Sequence, residues 1–310
     1  MYIKKSFGEK TFDVLNTLFL ILLIVITLYP CYYVLVASVS SPVKIYEGSP
    51  LLLWPKDFAI YSYKQVIKDT QIWNGYRNTI FYVTCGTFLS VLLTTTAAFA
   101  ASRKTLPGKN IIIFLIMFTM YFSGGLIPTY MVVRNLGLLN TPFAMILPQA
   151  VSTYNLIITL SYFRGMPESL VEAAKIDGAS DFKVFSRIMV PLAKPIIAVI
   201  SLYYAVAIWN NYFSALIYIN DRNLYPLQLV LREILVQNDT TSSQGALNVS
   251  SIDSAAYAAN IKYAIIVVST VPILCLYPFI QKYFVKGVMI GAVKYIKKTA
   301  AVQHLHFCLC

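Results

Sequence analysis

Residues 167–191 read PESLVEAAKIDGASDFKVFSRIMVP, a charged stretch between two apolar stretches that are each long enough to cross a membrane. Pro167 suits the first position of a helix, and good helix formers follow it. Gly178 suits the left-handed residue after a helix, and Ser180 or Asp181 can cap a second one. The stretch therefore predicts two short helices joined by a hinge, exposed to water at a membrane surface.

The composition of the whole chain is typical of a membrane protein. Of its 310 residues 58% are hydrophobic and only 12% are charged. Six stretches of 19 to 30 residues contain no Asp, Glu, Lys or Arg: 14–43, 78–102, 110–133, 135–163, 195–220 and 263–281. A spanning helix needs about 20 apolar residues, and a charge at its centre costs roughly 2.5–3.5 kcal/mol. We therefore expect an all-α membrane protein with six transmembrane helices.

The distribution of Lys and Arg predicts the orientation. With the N-terminus inside and the spans alternating, sixteen basic residues fall inside and eight outside. This bias follows the positive-inside rule and places both termini and the 167–191 loop in the cytoplasm. It also accounts for the net charge of +12 without a nucleic-acid partner. The first apolar stretch is too long for a signal peptide, so we expect a retained helix.

Several spans contain polar or helix-breaking residues. Ser123-Gly124-Gly125 and Pro128 predict a bend in the third span, beside the pathway or at a packing kink. Amides and aromatic rings in the fourth and fifth spans are equally compatible with sugar recognition and with packing between helices. These candidate pathway residues are Gln149, Tyr154, Asn155, Trp209, Asn210, Asn211 and Tyr212.

The residues needed for catalysis are missing from the sequence. The spans contain no histidine, no Gly-x-Ser-x-Gly motif and no pair of carboxylates, and the chain has no Walker A motif. In the tail, His304, His306, Cys308 and Cys310 match no common zinc pattern. We therefore predict neither a catalytic residue nor a metal site.

The order Glu172-Ala173-Ala174, then Gly178, Ile188 and Pro191, resembles the EAA loop of binding-protein-dependent ABC importers. The spacing of that pattern is kept throughout, with Val190 where leucine is usual. Residues 124–138 and 285–294 resemble the carbohydrate, maltose-permease-like branch of these permeases.

The resemblance implies a type I ABC importer permease fold and a cytoplasmic loop that docks on an ATPase. Glu172 would dock the loop, Gly178 would permit its turn, and Phe182 and Phe185 would supply apolar contact. The full set of implied coupling residues is Glu172, Ala173, Ala174, Gly178, Phe182, Phe185, Ile188 and Pro191.

The resemblance also implies the partners: a second homologous permease, two ABC ATPase subunits, an extracellular solute-binding protein and membrane lipid. ATP and Mg would be bound by the ATPase subunits, and this chain would hold no cofactor. The expected function is import of a sugar or oligosaccharide across a bacterial plasma membrane by alternating access. An importer permease for another solute, such as an amino acid or peptide, is the alternative.

The resemblance and the span pattern together predict three segments. Residues 1–69 would hold the cytoplasmic arm, the first span and an extracellular loop. Residues 70–294 would form the permease core, with five spans and the EAA loop, and 295–310 a disordered cytoplasmic tail.

Overall fold

The computed structural model describes residues 7–46, 52–244 and 260–275, and most of these residues are helical. The helices are α1 (Phe7–Ser38), α2 (Pro42–Tyr46), α3 (Tyr61–Lys68), α4 (Thr70–Ser102), α5 (Lys109–Tyr121), α6 (Leu126–Asn135), α7 (Phe143–Ile146), α8 (Thr153–Arg164), α9 (Ser169–Ile176), α10 (Asp181–Val184), α11 (Val190–Leu192), α12 (Lys194–Trp209), α13 (Phe213–Tyr218), α14 (Leu227–Gln244) and α15 (Asn260–Cys275). Short 3-10 turns at Leu147–Gln149 and Arg222–Leu224 and a π-helical segment at Phe185–Met189 complete the described secondary structure.

The predicted all-α membrane architecture is confirmed, but only two of the described helices cross without a break. α1 and α4 have 32 and 33 residues and enough apolar sequence to span. Three further helix pairs are long and apolar enough to span only when each pair is taken together, and they are bent by 115° (α5 and α6), 50° (α7 and α8) and 81° (α10 to α12). The sixth predicted span is described only as α15, because 276–281 lie outside the described residues.

The breaks occur where the sequence weakens the helical backbone. Gly125 has φ +87°, a left-handed conformation that disfavours any residue with a Cβ, and it separates α5 from α6. Pro148 lies in the 3-10 turn before α8, and proline follows the first residue of α12. Proline removes a backbone donor and clashes with the preceding turn, so it favours a new helix start over continuation.

The chain divides into two compact units, the first formed by residues 1–72 and 231–271. Asn260, at the start of α15, is 2% exposed and connects three parts of this unit. Its side-chain amide donates to the carbonyl oxygens of Ala37 and Ser40 at 2.9 and 3.1 Å, and its Oδ1 accepts from the hydroxyl of Ser62. These bonds add partners to carbonyl groups at and just beyond the end of α1.

The second unit, residues 73–230 and 272–310, contains the main apolar core. Its largest cluster joins α4, α8, α12 and the 167–191 loop through buried residues such as Phe163, Val184, Met189 and Ile200. The loop is thus packed onto the spans that it connects.

The start of α4 is fixed to the segment before α14, all within the second unit. Asn78 donates to the carbonyl oxygens of Asn223 and Tyr225 at 2.6 and 3.0 Å, and the hydroxyl of Thr79 accepts from the Leu227 amide at 2.8 Å. Gly75 allows this close approach, because a Cβ there would lie 3.0 Å from the Cα of Leu227.

We expect Gly75→Ala to lower the thermal unfolding midpoint of the purified chain. The added methyl group meets backbone that must move, and such overpacking costs typically ~1–3 kcal/mol. Gly8→Ala is the matched control, because the space around Gly8 in α1 is open within 4 Å. An equal midpoint for the two variants would contradict the close packing of α4 against the start of α14.

Candidate functional site

The 167–191 loop has the predicted two-helix form. α9 ends before Gly178, which has φ +76°, and the hydroxyl of Ser180 caps α10 by accepting from the Lys183 amide at 3.4 Å. The hinge and the Ser180 cap are therefore confirmed. One detail is wrong: the helix begins at Ser169, two residues beyond Pro167, whose carbonyl oxygen accepts from the Leu170 amide.

The two faces of this loop differ sharply in exposure. Val171, Ala174 and Met189 are buried in the core cluster. Ile176 and Phe182 are large apolar side chains with 86% and 77% of their surface exposed. The predicted coupling residues Glu172, Ala173, Gly178 and Pro191 are also exposed, whereas Ala174 is buried and Phe185 and Ile188 are partly buried against the core.

Sequence reasoning missed Ile176 and grouped Phe182 with Phe185. Helical spacing offered a signal for Ile176, because it lies three and four positions after Ala173 and Glu172, on one face of α9. The separation of Phe182 from Phe185 had no such signal. The two residues share one helical face, yet Phe182 is exposed and Phe185 packs against Phe99 of α4.

An aromatic cluster connects the loop to the end of α4. The ring of Phe99 lies 5.1 Å from that of Phe185 and 6.1 Å from that of Phe163, between ring centroids. The guanidinium of Arg103 lies 4.7 Å from the centre of the Phe99 ring. A displacement of the loop at Phe185 would therefore press directly on α4.

An exposed ion pair joins the same two regions. Lys104, in the turn after α4, pairs with Glu168 at the entrance to α9. The hydrogen bond and charge of Glu168 raise the pKa of Lys104. The stability that this ion pair contributes is fully present below the ordinary lysine pKa. It is lost only as the pH rises through the raised pKa of Lys104. Because both side chains are largely exposed, the pair orients the loop more than it stabilises the fold.

A cavity of about 940 Å³ lies along α8 and α12, within the second unit. Its lining residues are Val83, Pro148, Gln149, Val151, Ser152, Tyr154, Asn155, Leu202, Tyr203, Tyr204, Ala205, Val206, Ala207, Ile208, Trp209, Asn210 and Ile273. The structure thus brings five candidate pathway residues together: Gln149, Tyr154, Asn155, Trp209 and Asn210. The volume lies within the ~300–1,000 Å³ of small-molecule sites.

Asn211 and Tyr212 lie outside this lining. The Oδ1 of Asn211 accepts from the Ser214 amide at 3.1 Å and so caps the start of α13. The Ser214 hydroxyl accepts from Nε2 of Gln149 at 2.8 Å, which connects the 3-10 turn before α8 to α13. Asn211 therefore supports the geometry near the cavity without lining it.

The start of α8 is held by the hydroxyl of Tyr204. The Ser152 amide donates to this oxygen at 2.9 Å, and the Thr94 hydroxyl lies 2.7 Å from it. Tyr204 is 3% exposed and Thr94 is fully buried. One hydroxyl thus connects the interruption between α7 and α8 to both α12 and α4.

Two buried side chains of the lining have no partner for a polar group among the described residues. Nε1 of Trp209 is buried and makes no hydrogen bond. Asn155 is 4% exposed, and its hydrogen bonds involve only its backbone, so its side-chain amide faces the cavity unpaired. Both residues line the cavity, and the amide of Asn155 can pair with a polar ligand there.

The sequence around the cavity and the loop matches a known protein family. Residues 86–290, which include the exposed loop and all of the cavity lining except Val83, match the family described as binding-protein-dependent transport system inner membrane component. The chain belongs to this family. It is the membrane-embedded permease of an importer and works with a solute-binding protein and an ATPase.

Individual relatives resemble this permease over nearly their whole length. Protein LplC of Bacillus subtilis (strain 168) is 42% identical, over 92% of this chain and 95% of its own. The polygalacturonan/rhamnogalacturonan transport system permease protein YtcP of the same strain is 39% identical, over 92% and 99%. A crystal structure of a bacterial ABC transporter involved in the import of the acidic polysaccharide alginate superposes with a TM-score of 0.83 at 32% identity, covering 91% of this chain and all of that one.

We expect Tyr204→Phe to destabilise the permease by about 1–3 kcal/mol, because it leaves the partly buried Ser152 amide and the buried Thr94 hydroxyl without their shared partner. Tyr154→Phe is the matched control, since the Tyr154 hydroxyl makes no hydrogen bond to the described residues and the ring is 54% exposed. Unfolding in detergent gives the free energy of unfolding of both variants. If the free energy for Tyr204→Phe lay within ~0.5 kcal/mol of that for the control, the hydroxyl would not have this role.

Proposed function

We propose that this chain is one of two permease subunits through which an ATP-driven importer moves a sugar or oligosaccharide by alternating access. The observation that supports it best is the family match over residues 86–290, which contains both an exposed coupling loop and an aromatic, amide-lined cavity. Two of the similar proteins carry polysaccharide names, polygalacturonan/rhamnogalacturonan and alginate. These names favour a carbohydrate cargo over an amino acid or peptide.

The cavity is proposed as this subunit's part of the sugar pathway. Aromatic faces of Tyr154, Tyr203 and Trp209 can stack on the C–H faces of a sugar ring. The amides of Gln149, Asn155 and Asn210 can hydrogen-bond hydroxyl groups. A second homologous permease, a different chain by the resemblance, would complete the pathway.

The loop is proposed as the docking element for the ATPase. Ile176 and Phe182 supply the exposed apolar contact, and Glu172 lies one turn before Ile176 on the exposed face of α9. Phe185 acts from within, by transmitting displacement of the loop to Phe99 of α4. ATP and Mg would be bound by the two ATPase subunits, and this chain would respond to their movement through the loop.

The bias of basic residues supports a cytoplasmic position for this loop and for both termini, in a multi-pass protein of the bacterial plasma membrane. The assignment of 70–294 as the permease core and of 295–310 as a disordered tail stays a prediction. The whole tail, 295–310, lies outside the described residues, including the histidine and cysteine pattern.

The function is tested by ATP hydrolysis of the reconstituted importer in the presence of sugar-loaded binding protein. We expect stimulation with wild type and its loss in a Glu172→Ala, Gly178→Pro double variant. Proline cannot adopt the φ of +76° at position 178, so the turn between α9 and α10 is lost. If no sugar-loaded binding protein stimulates the wild type, the carbohydrate assignment fails.

Docking is tested separately with an Ile176→Ser, Phe182→Ser double variant. Removing two exposed apolar side chains should reduce co-purification of the ATPase subunits at least tenfold, because burial of such side chains is worth about 1.5–3 kcal/mol each. The control is Trp54→Ser, an equally exposed apolar residue in the predicted extracellular segment. Full ATPase recovery with the double variant would place the docking surface elsewhere.

A further inference from the structure

The start of α8 lies at the cavity, and no charged side chain is among the described lining residues. α8 has 12 residues, and Val151, Ser152, Tyr154 and Asn155 at its start line the cavity. None of the described lining residues is Asp, Glu, Lys or Arg. The partial positive charge at the start of α8 is therefore neither neutralised by an acid nor reinforced by a base.

The donors at this helix start are incompletely used. Tyr204 accepts from the Ser152 amide, and the Ser152 hydroxyl accepts from the Asn155 amide at a long 3.5 Å. The backbone N–H groups of Thr153 and Tyr154 have no acceptor among the described residues. First-turn amides of this kind are a recognised site for anions.

The side-chain amide of Asn155 lies in the same first turn of α8. Asn155 is 4% exposed and lines the cavity, and its side-chain amide makes no hydrogen bond to the described residues. A ligand that enters the cavity can pair with this amide. The amide nitrogen can donate to an acceptor that also faces the helix start.

We propose that the first turn of α8, together with the amide of Asn155, binds the carboxylate of a uronic acid unit as an acidic oligosaccharide passes through the cavity. The sugar ring would lie against Trp209 and Tyr203, whose rings line the same space. The short helix before the break, four residues of α7 and one 3-10 turn, opposes this field only weakly. This inference rests on the proposed sugar import and narrows it to acidic sugars.

The test compares uptake of trigalacturonate with that of its methyl ester in proteoliposomes holding the complete importer and its binding protein. Both ligands share the same sugar skeleton and differ in charge. Asn155→Asp is the informative variant, because an acid in the first turn suits the helix dipole but repels a carboxylate. Asn220→Asp is the control, since Asn220 is exposed and lies outside the cavity lining.

With saturating binding protein, we expect Asn155→Asp to reduce trigalacturonate uptake about tenfold relative to the methyl ester, since loss of a charge-assisted bond and added repulsion together reach roughly that factor. The control should keep the wild-type ratio. Because every variant uses the same binding protein, a changed ratio originates in the permease.

Other results separate the two proposals. Equal loss of both ligands in Asn155→Asp, or an unchanged ratio, would overturn the carboxylate site while leaving sugar import intact. Uptake of the methyl ester alone by wild type would do the same. Uptake of neither ligand, nor of any other sugar offered, would overturn the proposed function itself.

Discussion

The second unit depends on satisfying the backbone where its membrane helices are interrupted. A broken helix exposes amide and carbonyl groups that lipid cannot pair, so every break needs partners from the protein. At the break before α8 the Tyr204 hydroxyl takes this role by meeting the Ser152 amide and Thr94 together. The hydroxyl therefore fixes the position of α8 relative to α4 and α12, and the cavity along those helices follows from it.

The exposed loop and the cavity share one packed core, which gives the coupling proposal a physical basis. Phe99, Phe163 and Phe185 bring α4, α8 and the loop into contact. Packed interiors transmit displacement because they have few voids to absorb it. A force on α10 would therefore reach α4 and α8, and α8 is the helix whose start borders the cavity.

Much of the fold could be predicted because lipid imposes a simple rule on composition. The charge-free stretches identified the spans, and Gly178 and Ser180 identified the hinge and cap through their backbone chemistry. The bends of 50° and 81° were not predicted, since Pro148 and Pro195 also fit plain helix starts. Helical periodicity places Phe182 and Phe185 on the same face, so it could not predict that Phe182 is exposed whereas Phe185 packs against the core. The position of Asn211 outside the cavity was not predicted either. Its side chain is used within the protein, where its Oδ1 accepts from the Ser214 amide at the start of α13.

The absence of charge from the spans and the proposed binding of a charged sugar are compatible. A lysine or arginine at membrane depth costs roughly 2.5–3.5 kcal/mol on insertion scales, and it would hold an anion strongly enough to slow its release. A helix start supplies a partial positive charge from the backbone, with no side chain to insert. The interruption before α8 thus produces an anion-compatible surface within a stretch, 135–163, that carries no ionisable Asp, Glu, Lys or Arg. Asn155 adds a neutral donor at the same place. A transport pathway benefits from this weaker attraction, because its cargo must leave as readily as it enters.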